Sequence, residues 1–109
     1  MPTLLIPKGS NMAELKIICK QPDSLKRVIE EVLAERLRAL EDGIRRTEER
    51  IQKFETKYQL STEEFLRRFE NDEIQHSVDM EFDEWIGESW MLKRLREDAD
   101  ELRGIEFVN

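Results

Sequence analysis

The apolar positions of this chain fall into two long helical registers joined by a short one. Leu33, Leu37, Leu40, Ile44, Thr47, Ile51, Phe54 and Tyr58 are spaced alternately by four and three residues. On a 3.6-residue helix that spacing makes one seam, with Thr47 its single polar member. Ahead of it the apolar face widens to Leu25, Val28, Ile29 and Val32. The pattern predicts a long helix over 23–58, entered through Pro22-Asp23-Ser24, where Asp23 or Ser24 can cap an orphan backbone N–H. Gly43 is its one weak interior residue, unfavourable by about 1 kcal/mol relative to alanine. Charge pairs such as Glu41 with Arg45 mark the outer face as solvated.

The seam breaks at Gln59-Leu60, inside the stretch KYQLSTEEFLRRFEND. Ser61 followed three residues later by Glu64 reads as a capping box, and Leu60 with Phe65 as a hydrophobic staple. These predict a short helix over 61–70 that buries Phe65, Leu66 and Phe69 and ends at Asn71. After a link at 71–78, a returning helix is expected over 79–103. Its apolar positions are Phe82, Trp85, Ile86, Trp90, Leu92, Leu95, Ala99 and Leu102, and Gly104 marks its end.

A helix of about 35 residues is roughly 50 Å long, too long for a sphere with a radius of gyration near 13 Å. The expected fold is therefore mainly α: one domain shaped as an elongated helical hairpin, with a short helix at the bend. The segment AELKIICK, 13–20, alternates loosely through Leu15, Ile17 and Cys19 and reads as a short N-terminal β-strand, ended by Pro22. It needs a partner strand, from TLLI near the start or from another chain. Residues 1–12 read as a flexible arm. The packing seam comprises Leu33, Leu37, Leu40, Ile44, Ile51 and Phe54, with Leu92, Leu95 and Leu102 on the returning helix. It can close within one chain or between two, and a dimer is expected.

Charge sharpens this picture. The net charge is −7, unevenly placed. Residues 1–60 carry 12 Lys/Arg against 10 Asp/Glu, while residues 61–109 carry 6 against 15. An acidic half argues against direct contact with nucleic acid or an anionic membrane and favours a basic protein partner. No apolar run exceeds three residues, as at Leu4-Leu5-Ile6, far short of the roughly 20 residues that span a bilayer. One cysteine excludes an internal disulfide and fits a reducing cytoplasm.

Chemistry-bearing residues are sparse, and no catalytic, cofactor or metal site is expected. His76 is the only histidine and reads as a solvated loop residue, since a lone histidine among acids lacks a zinc-ligand set. Cys19 has no base placed for it and reads as a buried strand thiol. Arg45, Arg46, Arg50, Lys53 and Lys57 are interleaved with glutamates, which makes a solvated face rather than a nucleic-acid stripe. The segment DMEFDEWIGESWM is the most unusual. Phe82, Trp85, Ile86 and Ser89 share one helical face, and Trp90 points partly away. Two readings stay open: the tryptophans are hairpin core, or Glu81, Phe82, Asp83, Glu84, Trp85, Ile86, Glu88 and Trp90 form an acidic aromatic surface for a basic partner.

The run ERIQKFETKYQLSTEEFLRRFENDE, then EFDEW in an acidic stretch, then a leucine-spaced helix, resembles small helical antitoxins of prokaryotic type II toxin–antitoxin pairs. The resemblance covers about residues 25–103. It implies tight binding to a cognate toxin, often a small basic ribonuclease, with the Glu81–Trp90 surface in contact. No helix-turn-helix is found. The alternative is a self-associating coiled-coil module with no inhibitory role.

Overall fold

The computed structural model describes residues 13–74 and 80–107, and within them the chain is three helices: α1 (Pro22–Tyr58), α2 (Thr62–Glu70) and α3 (Met80–Arg103). The expected arm at 1–12, His76 and the expected start of α3 at Asp79 lie outside the described residues. The chain divides into two compact units, Met1–Val32 and Leu33–Asn109, and the helical hairpin belongs to the second.

α1 begins one residue earlier than the caps suggested. Pro22 takes the first helical position, where its missing N–H costs nothing, and the Leu25 amide donates to the Gln21 carbonyl (3.1 Å). Asp23 therefore lies in the first turn, where its charge complements the helix dipole rather than capping it. No strand forms over 13–20 among the described residues. Leu15 and Ile17 on one alternating face are 68% and 58% exposed and Ile18 on the other is 69% exposed, so neither face is covered. Cys19, expected as a buried strand thiol, is a half-buried free thiol in irregular chain.

The joint closes by local hydrogen bonds. Gln59 adopts φ 51°, the left-handed conformation that ends a helix, and the Leu60 amide reaches back to the Glu55 carbonyl (3.1 Å). This is the six-to-one bond of a Schellman motif, made without its usual glycine. Ser61 caps α2, its Oγ accepting from the Glu64 amide at 3.1 Å. Only that half of the expected capping box forms. The Glu64 carboxylate turns to Arg67 and Arg68 (2.6–3.0 Å) instead of back to the cap. The Arg67 hydrogen bond, then Arg68, hold its pKa at about 2, below the usual 4.5. In place of Glu64, Glu55 of α1 serves the start of α2: its Oε2 accepts from the Thr62 amide (2.7 Å) and hydroxyl (2.8 Å). The end of α2 repeats the left-handed turn at Asp72, φ 56°, with Glu73 N–H donating to the Arg68 carbonyl (2.9 Å).

α3 runs antiparallel to α1, and the seam closes within the chain. Leu40, Thr47 and Ile51 of α1 and Ala99 of α3 are buried, while Leu92, Leu95 and Leu102 are half-buried. Four cross-helix ion pairs hold the register: Lys57–Glu81 (2.7 Å), Arg50–Glu88 (2.9 Å), Glu48–Arg96 (2.6 Å) and Glu41–Arg103 (3.1 Å). Numbers rise on one helix as they fall on the other. Thr47, the polar member of the seam, accepts from Arg50 Nη2 (3.3 Å) and lies 4.0 Å from Met91 Sδ. Gly43 also has a reason to be small, because a Cβ there would stand 3.4 Å from Leu95 Cδ1.

The rest of the core is aromatic and sits at the bend. Trp85 is fully buried. Its ring stacks on Phe65 at 4.0 Å with 3° between planes, and on Phe54 and Tyr58 at 5.7 and 5.8 Å. The indole Nε1 donates to Thr62 Oγ1 at 2.9 Å, and that hydroxyl donates in turn to Glu55. One indole thus ties together all three helices.

Candidate functional site

The helical phase of α3 separates the residues expected to meet a partner. Trp85 at the bend and Ala99 three to four turns later are both fully buried, which fixes the inner face. Every 3.6 residues the chain returns to that face, so residues near half a turn away must look outward.

Of the eight residues expected on one partner surface, the structure brings only some to solvent. Trp85 is fully buried and cannot be reached by a partner: the bend needs a large flat side chain with a donor aimed at Thr62. Phe82 and Ile86 are half-buried, and Phe82 packs against Tyr58 (5.2 Å) and Phe65 (5.3 Å). Glu81 and Glu88 face α1. Glu81 accepts from Lys57 Nζ and from the Tyr58 hydroxyl, and the lysine first and the tyrosine second push its pKa down. Glu88 accepts from Arg50, and its second oxygen, Oε2, is buried with no hydrogen-bond partner among the described residues. Asp83, Glu84 and Trp90 remain outward. Asp83 and Glu84 make no ion pair among the described residues, and Trp90 is 70% exposed.

The same phase exposes residues beyond those eight. Met80 and Met91 are large apolar side chains, 81% and 50% exposed, Met91 with its sulfur turned back toward Thr47, and Gly87 and Arg94 are exposed on the same side of α3. The signal was present: the seam through Leu92, Leu95 and Ala99 dictates their direction.

A second surface is a groove of about 840 Å³ bounded by α1, α2 and α3. Its floor is apolar: Ile51, Leu66 and Leu92. Its rim carries five carboxylates (Glu48, Glu55, Glu63, Glu97, Asp100) against two cations (Lys93, Arg96). Glu48 is paired with Arg96 and Glu55 serves Thr62, whereas Glu63 and Glu97 are exposed and make no ion pair among the described residues. The groove exists because α2, at nine residues, covers only the bend end of the cleft between the two long helices.

Some of the basic side chains of α1 are paired. Arg50 and Lys57 pair with α3, and Arg45 lies 3.6 Å from Asp42. Among the described residues there is no group of three or more His, Cys, Asp or Glu placed to hold a metal ion, and no helix long and apolar enough to cross a membrane. No family model, curated protein or solved structure was found to match the chain.

Proposed function

We propose that this chain is a non-enzymatic, cytoplasmic, antitoxin-like protein that binds and neutralises a basic ribonuclease-type toxin. The observation that carries the reading is the groove: an apolar floor framed by five carboxylates and two cations, three of the carboxylates (Glu63, Glu97, Asp100) coming from residues 61–109, where anions outnumber cations 15 to 6. A groove of that kind suits an amphipathic basic helix, with apolar anchors on the floor and cations on the rim. Such a segment is what a nuclease offers where it would otherwise hold RNA phosphates, and a carboxylate rim competes for it electrostatically. The basic partner is thereby assigned to the flank of α3 rather than to the whole Glu81–Trp90 surface.

Co-expression with the product of the adjoining gene tests this. The expected result is relief of that product's toxicity and a co-purifying complex, both weakened by Glu63→Lys with Glu97→Lys and by raised salt. A neighbour that is harmless alone and forms no complex would refute the proposal.

The second reading, a self-associating module without an inhibitory role, is favoured by one observation. Val28 and Val32 on the first turns of α1 are 49% and 58% exposed, an uncovered apolar face on a helix that otherwise buries its seam.

A further inference from the structure

We propose that α3 pairs antiparallel with α3 of a second copy of this chain, crossing at Gly87. This inference does not rest on the toxin-binding reading. The outward stripe of α3 is built symmetrically about that glycine. Met80, Asp83 and Glu84 precede Gly87 by seven, four and three residues, and Trp90, Met91 and Arg94 follow it by three, four and seven. All seven are exposed. The stripe is about 21 Å long at 1.5 Å per residue.

Each member has a place in such a pair. A Cβ at Gly87 would meet nothing within 4 Å in the single chain, so the glycine is not demanded by the hairpin's own packing. At a helix crossing it lets two backbones approach closely, as small residues do wherever helices pack tightly. Two large apolar groups, Trp90 (70% exposed) and Met91 (50%), lie on one side of it, and Met80 (81%) on the other. Antiparallel pairing sets residue 87+n opposite 87−n of the other copy. Met80 then faces the other copy's Arg94, Asp83 its Met91, and Glu84 its Trp90. Trp90 of each copy stands three residues, about 4.5 Å along the axis, from the level of the other copy's Gly87, so its ring can cover the crossing instead of facing water.

Charge selects the orientation and the occupant. Within residues 80–96, Glu81, Glu88 and Arg96 are taken up by Lys57, Arg50 and Glu48 of α1, which leaves the acids Asp83 and Glu84 before Gly87 and the cations Lys93 and Arg94 after it. An antiparallel copy lays the acidic half of each helix over the basic half of the other. A parallel copy would set acid against acid. Arg94 lies about 4.5 Å along the axis from the level of Asp83 on the other copy and about 6 Å from that of Glu84. Those distances are within a guanidinium's reach. The groove opens through Ser89, Leu92, Lys93 and Arg96, on a different side of α3, so pairing leaves it accessible.

The test is sedimentation equilibrium on the full chain alone, with circular dichroism as the control for folding. The expected result is a dimer whose dissociation constant rises at least tenfold in Gly87→Leu and in Trp90→Ala, with the helical signal retained. Arg94→Glu alone and Asp83→Arg with Glu84→Arg alone should each weaken the dimer, and mixing the two variants should restore a heterodimer. That exchange keeps the proposal testable even if Gly87→Leu fails to fold. A chain that stays monomeric at roughly 0.1 mM overturns it. So does a dimer indifferent to these substitutions but lost in Val28→Lys, and so does a monomer that uses Trp90 to hold a basic partner.

Discussion

The two tryptophans of α3 should behave oppositely on truncation. Trp85 is fully buried, stacks on three rings, and donates its indole N–H to Thr62. Trp85→Ala removes the transfer free energy of a large side chain and leaves a void that only the bend can close, a cost of about 3–5 kcal/mol. That is a large part of the roughly 5–15 kcal/mol by which a small domain is stable. Trp85→Phe keeps a ring in the stack and loses the N–H donor, so a smaller loss of about 1–2 kcal/mol is expected from the hydrogen bond and the lost volume. Trp90 is 70% exposed, and Trp90→Ala should stay within about 0.5 kcal/mol at a protein concentration where the chain is a single copy. Urea unfolding followed by far-ultraviolet circular dichroism reads all three. With a slope of about 1–3 kcal/mol per molar urea, Trp85→Ala should lower the midpoint by about 2 M or leave the chain unfolded in water. A Trp85→Ala protein within about 1 kcal/mol of the parent, or a Trp90→Ala protein as damaged as Trp85→Ala, would refute the assignment of core and surface.

Two further predictions concern the joint. Glu64 has its folded-state pKa lowered to about 2 from 4.5 by Arg67 and Arg68. Its contribution to stability is therefore present above about pH 4.5 and lost as pH falls toward 2, so Glu64→Gln should flatten the acid limb of a stability–pH profile measured by thermal melts. Gln59 holds a left-handed φ of 51°, so Gln59→Gly should relieve a strain of about 1 kcal/mol. That gain is offset in part by loss of the 2.8 Å bond from Gln59 Nε2 to the Thr56 carbonyl, and a small rise in melting temperature is the expected readout.

What the sequence revealed follows from how local each cause is. The alternation of fours and threes through Leu40, Thr47 and Ile51 is a one-dimensional signal, and so is the serine cap of α2. Both emerged as read, with helix boundaries within a residue. The strand at 13–20 failed because alternation alone cannot supply a ladder: a strand is stable only beside another, and none forms among the described residues. The back-bond from Glu64 to its cap was lost to competition. Two arginines one turn away in α2 offered charged donors, and Glu55, seven residues before Thr62, took over the start of the helix. Ownership of a carboxylate among several nearby donors is a three-dimensional question. The same holds for Trp85 and Trp90, five residues apart and chemically identical. Their fates were separable from the phase of Leu92 and Ala99, but the groove was not, because it depends on how little of the cleft α2 covers.

The outer stripe of α3 is what the fold itself does not explain. The hairpin needs one apolar face on each long helix, and it has them: the seam on α1, and Trp85, Leu92, Leu95, Ala99 and Leu102 on α3. On α1 the opposite face over the paired turns is charged, with Arg45, Arg46, Glu49 and Lys53 exposed, as expected for a helix with one side in water. α3 departs from that rule only between Met80 and Arg94, where a tryptophan, two methionines and a glycine replace the charges. Keeping Trp90 70% exposed contributes nothing to packing inside the single chain, and an apolar patch of this kind promotes association. The glycine is unfavourable by about 1 kcal/mol in a helix interior without relieving any contact in the hairpin. The two features act against the isolated molecule in different ways, and a helix crossing at Gly87 answers both.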